Sequence, residues 1–201
     1  MTTSSRPRVN HLGRDVSSRI PAWDAVPGLV ALGERDEAIW ALAAPYLTVR
    51  DNDAHSLFSY GLAAALLSQL PEANEAIVLP AILLHDTGWS TVDEREALEA
   101  IAPGGGVPEL VLKHEKEGAR IAREILHTVG LPAGDIERIT EIIDGHDTRP
   151  VAQSLEDALM RDADRLWRFD QAGIALASSW FKMDPATYTD RLATEIVPEL
   201  I

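Results

Sequence analysis

The chain has 201 residues, which is enough for one domain with a sizeable core and too few for two comfortable ones. Its net charge of −14 repels nucleic-acid backbones and anionic membranes, so we expect neither as a partner. It contains no cysteine, which excludes disulfides, iron–sulfur clusters and thiolate zinc sites, so that any metal must be held by His, Asp or Glu.

The sequence contains neither a membrane-spanning segment nor a secretion signal, which bears on the cellular compartment. No apolar run approaches the roughly 18 residues that are needed to span a bilayer. The first residues, MTTSSRPRVNHLGRDVSS, contain no apolar signal core. We therefore expect a cytoplasmic protein whose partner is a small molecule, and the sequence leaves the oligomeric state open.

Taken in chain order, residues 1–33 are punctuated by Pro, Gly and Ser and predict an irregular lead-in. From residue 34 onward helical periodicity dominates and no alternating strand pattern occurs. Asn52 or Asp53 is a plausible N-cap, and Pro80 is a candidate kink. The glycine-rich loop 103–108 predicts a hinge. The predicted helices cover 34–47, 52–70, 72–86, 92–101, 108–130, 135–147, 154–169, 171–183 and 186–197. The sequence thus predicts one all-α domain, a helical bundle over 34–201.

Six histidines are present, and four of them occupy unusual positions. His55, His85, His114 and His146 lie on four successive predicted helices within apolar patterns, whereas His11 and His127 can be surface residues. In LLHDTGWS, residues 83–90, an apolar helical run ends in an adjacent His and Asp, from which an ordinary core helix gains little. Burying several imidazoles and carboxylates without partners would cost several kcal/mol, and metal coordination is the usual compensation.

The ordered set formed by the four histidines, Asp86 after His85, and the segment DADRL at 162–166 resembles the HD-domain superfamily. The resemblance runs from about residue 50 to 170. It implies a helical, metal-dependent protein, and the best-known activity of that superfamily is the hydrolysis of nucleotides and other phosphate esters. A smaller branch uses the same ligand order in a di-iron oxygenase, and another hydrates nitrile-like groups.

The resemblance also implies a site for two metal ions in the core. One ion would be held by His55, His85, Asp86 and Asp162, and the second by His114 and His146, with Asp86 bridging. Asp162 and Asp164 point about 200° apart on a helix, so both cannot face one site, and the family's DAD pattern favours Asp162. Asp164 would then lie on a solvated face, and Asp147 would be a cap or a supporting group. Ligands of this type suit Fe, Mn, Co, Ni or Zn, and the sequence does not choose among them.

Residues around the ligands predict how a substrate is handled. Arg149, at a helix end near His146, is the preferred phosphate contact, and Lys116 is a second candidate cation. Trp89 stands where family members often carry a Lys, Glu or His, and its indole can line a pocket but cannot transfer protons. Glu115 is a candidate proton carrier, and Asp86 the central catalytic carboxylate.

Three functions remain open on this basis. The first is a metal-dependent phosphohydrolase acting on a small phosphate ester or nucleotide. The second is a di-iron oxygenase that cleaves a small polar substrate, since the ligand set permits it equally. The third is a metal-binding regulatory domain, which the complete ligand set disfavours.

Overall fold

The structure is a computed structural model, which describes residues 13–15, 18, 25–103 and 106–200. Over these residues the chain forms α-helices and short tight helical turns, with no β-strand. The helices are α1 (Glu34–Ala43), α2 (Asn52–Gln69), α3 (Glu75–Leu84), α4 (Glu94–Ala100), α5 (Pro108–Val129), α6 (Ala133–Ile143), α7 (Leu155–Leu166), α8 (Gln171–Trp180) and α9 (Pro185–Arg191). The predicted all-α class is confirmed.

Two predictions concern segments that the structure covers only in part. Most of the lead-in over 1–33, including His11, lies outside the described residues. So do two of the three glycines in the loop 103–108. The division into lead-in and helical domain, and the hinge, stay predictions.

Helix α3 forms the centre of the bundle. Every residue from Ile77 to Leu84 is buried, so this helix is apolar on all sides, as expected for a helix enclosed by others. It packs against α1, α2, α6 and α7. Pro80 lies within α3, and the helix continues past it to Leu84. The side chain of Asn74 accepts a hydrogen bond from the backbone N–H of Ala76 and caps the helix start.

The start of α2 differs from the predicted cap. The residue before the helix is Asp51, and neither Asn52 nor Asp53 occupies the cap position. Arg50 and Asp51 both have left-handed backbone conformations, with φ of 55° and 53°. Left-handed conformations cost roughly 1–2 kcal/mol for each residue other than glycine, so surrounding contacts must hold this turn in place.

The sequence predicted that the His-Asp segment would continue the helix to residue 86, but α3 ends at Leu84. The chain tightens after Leu84 into a 3₁₀ turn, His85–Thr91, which packs along α5. The approach is so close that a Cβ atom added to Gly88 would lie 1.9 Å from the carbonyl oxygen of His114. One added to Gly118 would lie 3.0 Å from the carbonyl oxygen of His85. Backbone contact between these glycines therefore sets the distance between two of the candidate ligands.

The helices after residue 170 form a smaller apolar cluster of their own, built from Ala177, Tyr188, Leu192 and Ile196. Helix α8 packs on the turn Trp167–Phe169 that follows α7. This arrangement brings the end of α8 over the same end of the bundle at which the histidines lie.

The contact at Gly88 predicts a strong effect of a single methyl group. We expect Gly88→Ala to destabilise the fold by at least about 2 kcal/mol, because rigid backbone atoms must move to admit the Cβ. For a chain of this length that corresponds to a loss of roughly 4–8 °C in Tm. Gly134→Ala in α6 is the matched control, since its Cβ meets nothing within 4 Å, and it should not lower Tm. Equal melting temperatures of the two variants would contradict the predicted contact.

Candidate metal centre

Four histidine rings converge at one end of the bundle, and all four are buried. His55 comes from α2, His85 from the 3₁₀ turn, His114 from α5 and His146 from the turn after α6. The Nε2 atoms of His55 and His85 lie 3.0 Å apart. The ring centroids of His114 and His146 are 5.2 Å apart. The ring centroids of His85 and His146 are also only 5.1 Å apart, so ring spacing alone does not divide the four histidines. The carboxylates around them assign them to two pairs, His55 with His85 and His114 with His146.

The carboxylate of Asp86 lies between the two pairs, with one oxygen turned toward each. Its Oδ2 is 3.5 Å from Nε2 of His55 and 3.6 Å from Nε2 of His85. Its Oδ1 is 3.8 Å from Nε2 of His114 and 4.0 Å from Nε2 of His146. A carboxylate in this position can serve two cations at once.

A second carboxylate joins each pair. Asp164 Oδ1 is 3.1 Å from Nε2 of His55 and 3.6 Å from Nε2 of His85. Asp147 Oδ2 is 3.5 Å from Nε2 of His114 and 3.8 Å from Nε2 of His146. Each half of the centre therefore has two imidazoles, its own carboxylate and one oxygen of Asp86.

The position of Asp164 corrects the sequence-based choice of Asp162. Asp164 is buried and belongs to a cluster of potential ligands, whereas Asp162 is only half-buried and belongs to none of those found. The reason is the phase of α7. Asp164 lies one turn after the fully buried Met160 and therefore shares its inward face. The solvated role predicted for Asp164 is wrong. Asp147 was expected to be a cap or supporting residue and lies directly against the second histidine pair.

The ring orientations suit metal coordination. Nδ1 of His85 lies 2.9 Å from the carbonyl oxygen of Ile82, and Nδ1 of His146 lies 2.8 Å from that of Ile143. A carbonyl can only accept, so both Nδ1 atoms carry a proton. Both Nε2 atoms point into the centre, where a metal ion would displace any proton they hold and use their lone pairs. Gly145, with φ of 120°, makes the turn that brings His146 inward after α6.

The donor atoms also have the spacing and the unmet bonding capacity that a metal requires. Ligands about 2.0–2.1 Å from one ion lie roughly 2.8–3.4 Å apart for angles from 90° to tetrahedral. The first half of the centre has separations of 3.0–3.6 Å, and the second is slightly wider. Neither nitrogen of the buried His114 has a hydrogen-bond partner within the described part of the chain. These residues fit a metal site.

Charge in the centre is dominated by carboxylates. Burial alone would lower the pKa of His85, but Asp86 and Asp164 outweigh it and raise the pKa to about 9. Burial and the neighbouring His146 lower the pKa of His114 to about 4. Burial raises the pKa of Asp86, yet the imidazole of His85 and the guanidinium of Arg50 hold it well below its usual range. The carboxylates therefore stay ionised and attract cations.

Trp89 is buried against the centre rather than exposed in a pocket. Its indole Nε1 donates a hydrogen bond to Asp86 Oδ1 at 3.1 Å. The same ring stacks on His114, with centroids 4.0 Å apart and planes inclined by 12°. One side chain therefore orients both the central carboxylate and a ligand of the second half.

The structure places Glu115 in a supporting role. It is fully buried and accepts hydrogen bonds from the backbone N–H groups of Asp147 and Thr148 and from the Thr148 hydroxyl. Its carboxylate is thus occupied in fixing the turn that carries His146. The prediction of Glu115 as a proton carrier is corrected on this ground.

The two predicted substrate cations also lie away from the centre. Arg149 bonds to Asp157 Oδ2 at 2.9 Å and to the carbonyl oxygen of Glu141 at 2.7 Å, so its guanidinium ties the end of α6 to α7. Lys116 is exposed on α5, one residue past the inward-facing side of that helix. Neither lines the cavity at the centre.

That cavity has other walls, which the sequence did not reveal. It is partly open to solvent and has a volume of about 50 Å³. One side is formed by the ligand cluster. The other described walls come from Arg50, Asn52, Trp167, Arg168, Trp180 and Phe181, among others. Arg50 has no sequence signal, because nothing in the letters predicts a left-handed arginine, and the C-terminal residues lie beyond the motif.

A sequence model of the HD domain matches residues 52–168. The chain belongs to the HD-domain family. Searches among curated proteins and among solved structures found no match. The predicted family membership is confirmed, and members are generally metal-dependent phosphohydrolases. The matched range contains the whole ligand cluster of this HD protein but neither Arg50 nor the end of α8. No helix in the described part of the chain is long and apolar enough to cross a bilayer.

The ligand geometry predicts opposite outcomes for two neighbouring aspartates of α7. Asp164→Asn should lower both the metal content and the rise in Tm on metal addition, because bound metal stabilises only the folded site. Asp162→Asn, the matched control, should leave both unchanged. Asp86→Asn should reduce metal content further than Asp164→Asn, since Asp86 faces both histidine pairs. Elemental analysis and thermal melts with and without chelator provide the readouts, and a loss of metal in Asp162→Asn equal to that in Asp164→Asn would refute the assignment.

The contacts of Trp89 predict that its N–H tunes metal affinity. Trp89→Phe keeps an aromatic ring beside His114 but removes the donor to Asp86 Oδ1, and we expect metal affinity to fall about 10-fold. Trp40→Phe in α1 is the control, because that indole packs against the main core away from the centre. Competition with a chelating dye measures both. Unchanged affinity in Trp89→Phe would show that the hydrogen bond does not orient the carboxylate.

Proposed function

We propose that this HD protein is a metal-dependent phosphohydrolase that acts on a small phosphate ester with two divalent metal ions. The observation that carries the proposal is the position of Asp86, whose two oxygens each face a separate group of two histidines and one carboxylate. A single-ion site would need only one of these groups. The doubled arrangement suits hydrolysis that uses a pair of ions.

The two groups define which residues would hold each ion. His55, His85 and Asp164 would hold the first, His114, His146 and Asp147 the second, and Asp86 both. When bound, such ions make water a nucleophile at neutral pH and polarise a phosphoryl oxygen. Their nitrogen and oxygen donors suit Fe, Mn, Co, Ni or Zn.

The charges lining the cavity favour an anionic substrate. Two divalent ions together with Arg50 and Arg168 would bring six positive charges, whereas Asp86, Asp147 and Asp164 bring three negative ones. Arg191 also lines the cavity but is neutralised by Glu195. A phosphate monoester dianion reduces the excess of three positive charges to one. An uncharged substrate would leave that excess buried and uncompensated, which is costly in a low-dielectric cavity.

The protein's own residues supply the order that the reaction needs. Trp89 holds the Asp86 carboxylate from one side, and Glu115 fixes the turn that carries His146 and Asp147. The enclosing aromatic side chains Trp167 and Trp180 limit access of bulk water to the cavity. Preorganised groups of this kind do not have to reorient during the reaction.

The size of the cavity supports a small-molecule substrate. A volume of about 50 Å³ offers room for roughly three or four water-sized groups, which is the size of a phosphoryl group. The net charge of −14 opposes the approach of a nucleic-acid strand.

The test is an anaerobic screen of phosphate esters with Mn, Co, Ni, Zn and Fe(II), run beside oxygen-uptake measurements on the iron-loaded protein. We expect release of phosphate that depends on added metal and needs no oxygen. Activity should fall at least 100-fold in Asp86→Asn and stay near wild type in Asp162→Asn, because only Asp86 contacts both ligand groups. Substrate-dependent oxygen uptake without hydrolysis would replace this proposal by a di-iron oxygenase. Metal binding with neither activity would favour a regulatory domain.

A further inference from the structure

Arg50 is a buried arginine whose guanidinium lacks close hydrogen-bond partners. Arg50 is 7% exposed and lines the cavity. Within the described part of the chain its only hydrogen bonds are two long ones from Nη2, 3.4 Å each, to Asn52 Oδ1 and Asp86 Oδ2. Charge-assisted bonds are normally about 2.7–2.9 Å long. Its Nε has no partner among the residues that the structure describes. Burial of such a group is costly unless something else completes its bonding.

Two more unpaired donors line the same cavity. The side chain of Asn52 is fully buried, and its Nδ2 has no hydrogen-bond partner in the described ranges. The indole Nε1 of Trp180 is also buried and has no hydrogen-bond partner among the residues that the structure describes. All three orphaned groups are donors, so the missing ligand must be an acceptor. An acceptor that satisfies an arginine in a cavity beside a metal centre is an anion.

The placement of Arg50 is rigid and strained. It lies in the left-handed turn before α2, with φ of 55°, followed by a second left-handed residue. Its guanidinium carbon lies 4.8 Å from the ring centroid of Trp89 and 5.4 Å from that of Trp180, so that it sits against two indoles. Strain of this type persists where the surroundings hold it, and it is concentrated at ligand-binding positions. Cation–π contacts fix the guanidinium before a ligand arrives.

A groove lies next to the cavity. Trp180 and Phe181 line both spaces, so a ligand that extends past these two rings leaves the cavity and enters the groove. Among the described residues the groove carries three carboxylates, from Asp93, Glu94 and Glu99, and two cations. One of the cations, Arg95, is already paired with Glu99 at 3.1 Å. Further negative charge on a ligand would therefore be repelled here, whereas an apolar or aromatic group meets Trp180, Phe181, Leu98 and Met183.

We propose that the substrate is a phosphate monoester whose single phosphoryl group binds against Arg50, Asn52 and Trp180. Its other end would be a largely apolar group without negative charge, which extends into the groove beside Phe181. This inference rests on the proposed function for the reaction, but the binding pattern is independent of turnover. It excludes nucleoside diphosphates and triphosphates, whose additional phosphates would enter the acidic groove. Arg50, Trp180 and Phe181 lie outside residues 52–168, the part that matches the family, whereas Asn52 and the acidic side of the groove lie within it.

The first arm of the test measures anion binding by the Mn²⁺-loaded protein, with inorganic phosphate as the probe in titration calorimetry. Arg50→Gln should weaken phosphate binding about 10-fold or more, because a hydrogen bond to a charged partner is lost. Arg120→Gln, an exposed arginine of α5, is the matched control for the loss of one charge and should bind as wild type does. Metal content and Tm are measured on each variant. If Arg50→Gln loses metal or does not fold, Trp180→Phe decides, and it should weaken binding several-fold. Phosphate binding that is unaffected by the decisive variant, or absent from wild type, overturns the proposal.

The second arm tests the groove with two non-hydrolysable ligands, phenylphosphonate and methylenediphosphonate. Wild type should bind phenylphosphonate at least 10-fold more tightly. Glu94→Lys should reduce the preference for phenylphosphonate over methylenediphosphonate several-fold without changing the affinity for inorganic phosphate. Glu137→Lys, on the exposed face of α6, should leave that preference unchanged. Equal or tighter binding of methylenediphosphonate by wild type overturns the inference. The predicted binding pattern without hydrolysis in the ester screen would defeat the proposed function alone, and hydrolysis without the pattern would defeat this inference alone.

Discussion

The buried carboxylate of Asp86 is the group on which the rest of the centre depends. Its two oxygens face two histidine pairs from four different segments, and removing its charge would leave those pairs without a common partner. Holding it there requires the tight turn after α3, which in turn requires glycine at 88, because backbone meets backbone at that point. The fold is thus constrained most strongly at the place where the chemistry is proposed to occur.

Much of this arrangement could be predicted from the sequence. Helical periodicity predicted α2 and α5 to within a residue at their ends, and the ordered histidines predicted a buried cluster with Asp86 at its centre. These features are encoded by local pattern and by residue type. The ligand roles themselves stay predictions, because the structure shows convergence and not binding.

The errors arise where side chains are positioned by tertiary contacts. The choice between Asp162 and Asp164 depends on which face of α7 is turned inward, as marked by the buried Met160 one turn before Asp164, and a motif of three letters does not fix that orientation. Arg149 follows a ligand in sequence, but its guanidinium caps α6 carbonyls because Asp157 lies within reach. Proximity along the chain was a poor guide for long flexible cations. Arg50 was missed for the opposite reason, since its position comes from two left-handed residues that no composition rule indicates.

The site therefore divides into a part shared with the HD family and a part supplied by this chain. The ligands lie within residues 52–168, and they set what kind of chemistry is possible. The remaining walls of the cavity, which would contact a substrate, come from Arg50 on one side and from the end of α8 on the other. The end of α8 packs on the turn Trp167–Phe169 and on its own apolar cluster rather than on the histidines. Arg50, by contrast, contacts Asp86 directly. We therefore expect substrate choice to vary through the end of α8, while the backbone contact at Gly88 holds the Asp86 carboxylate in place.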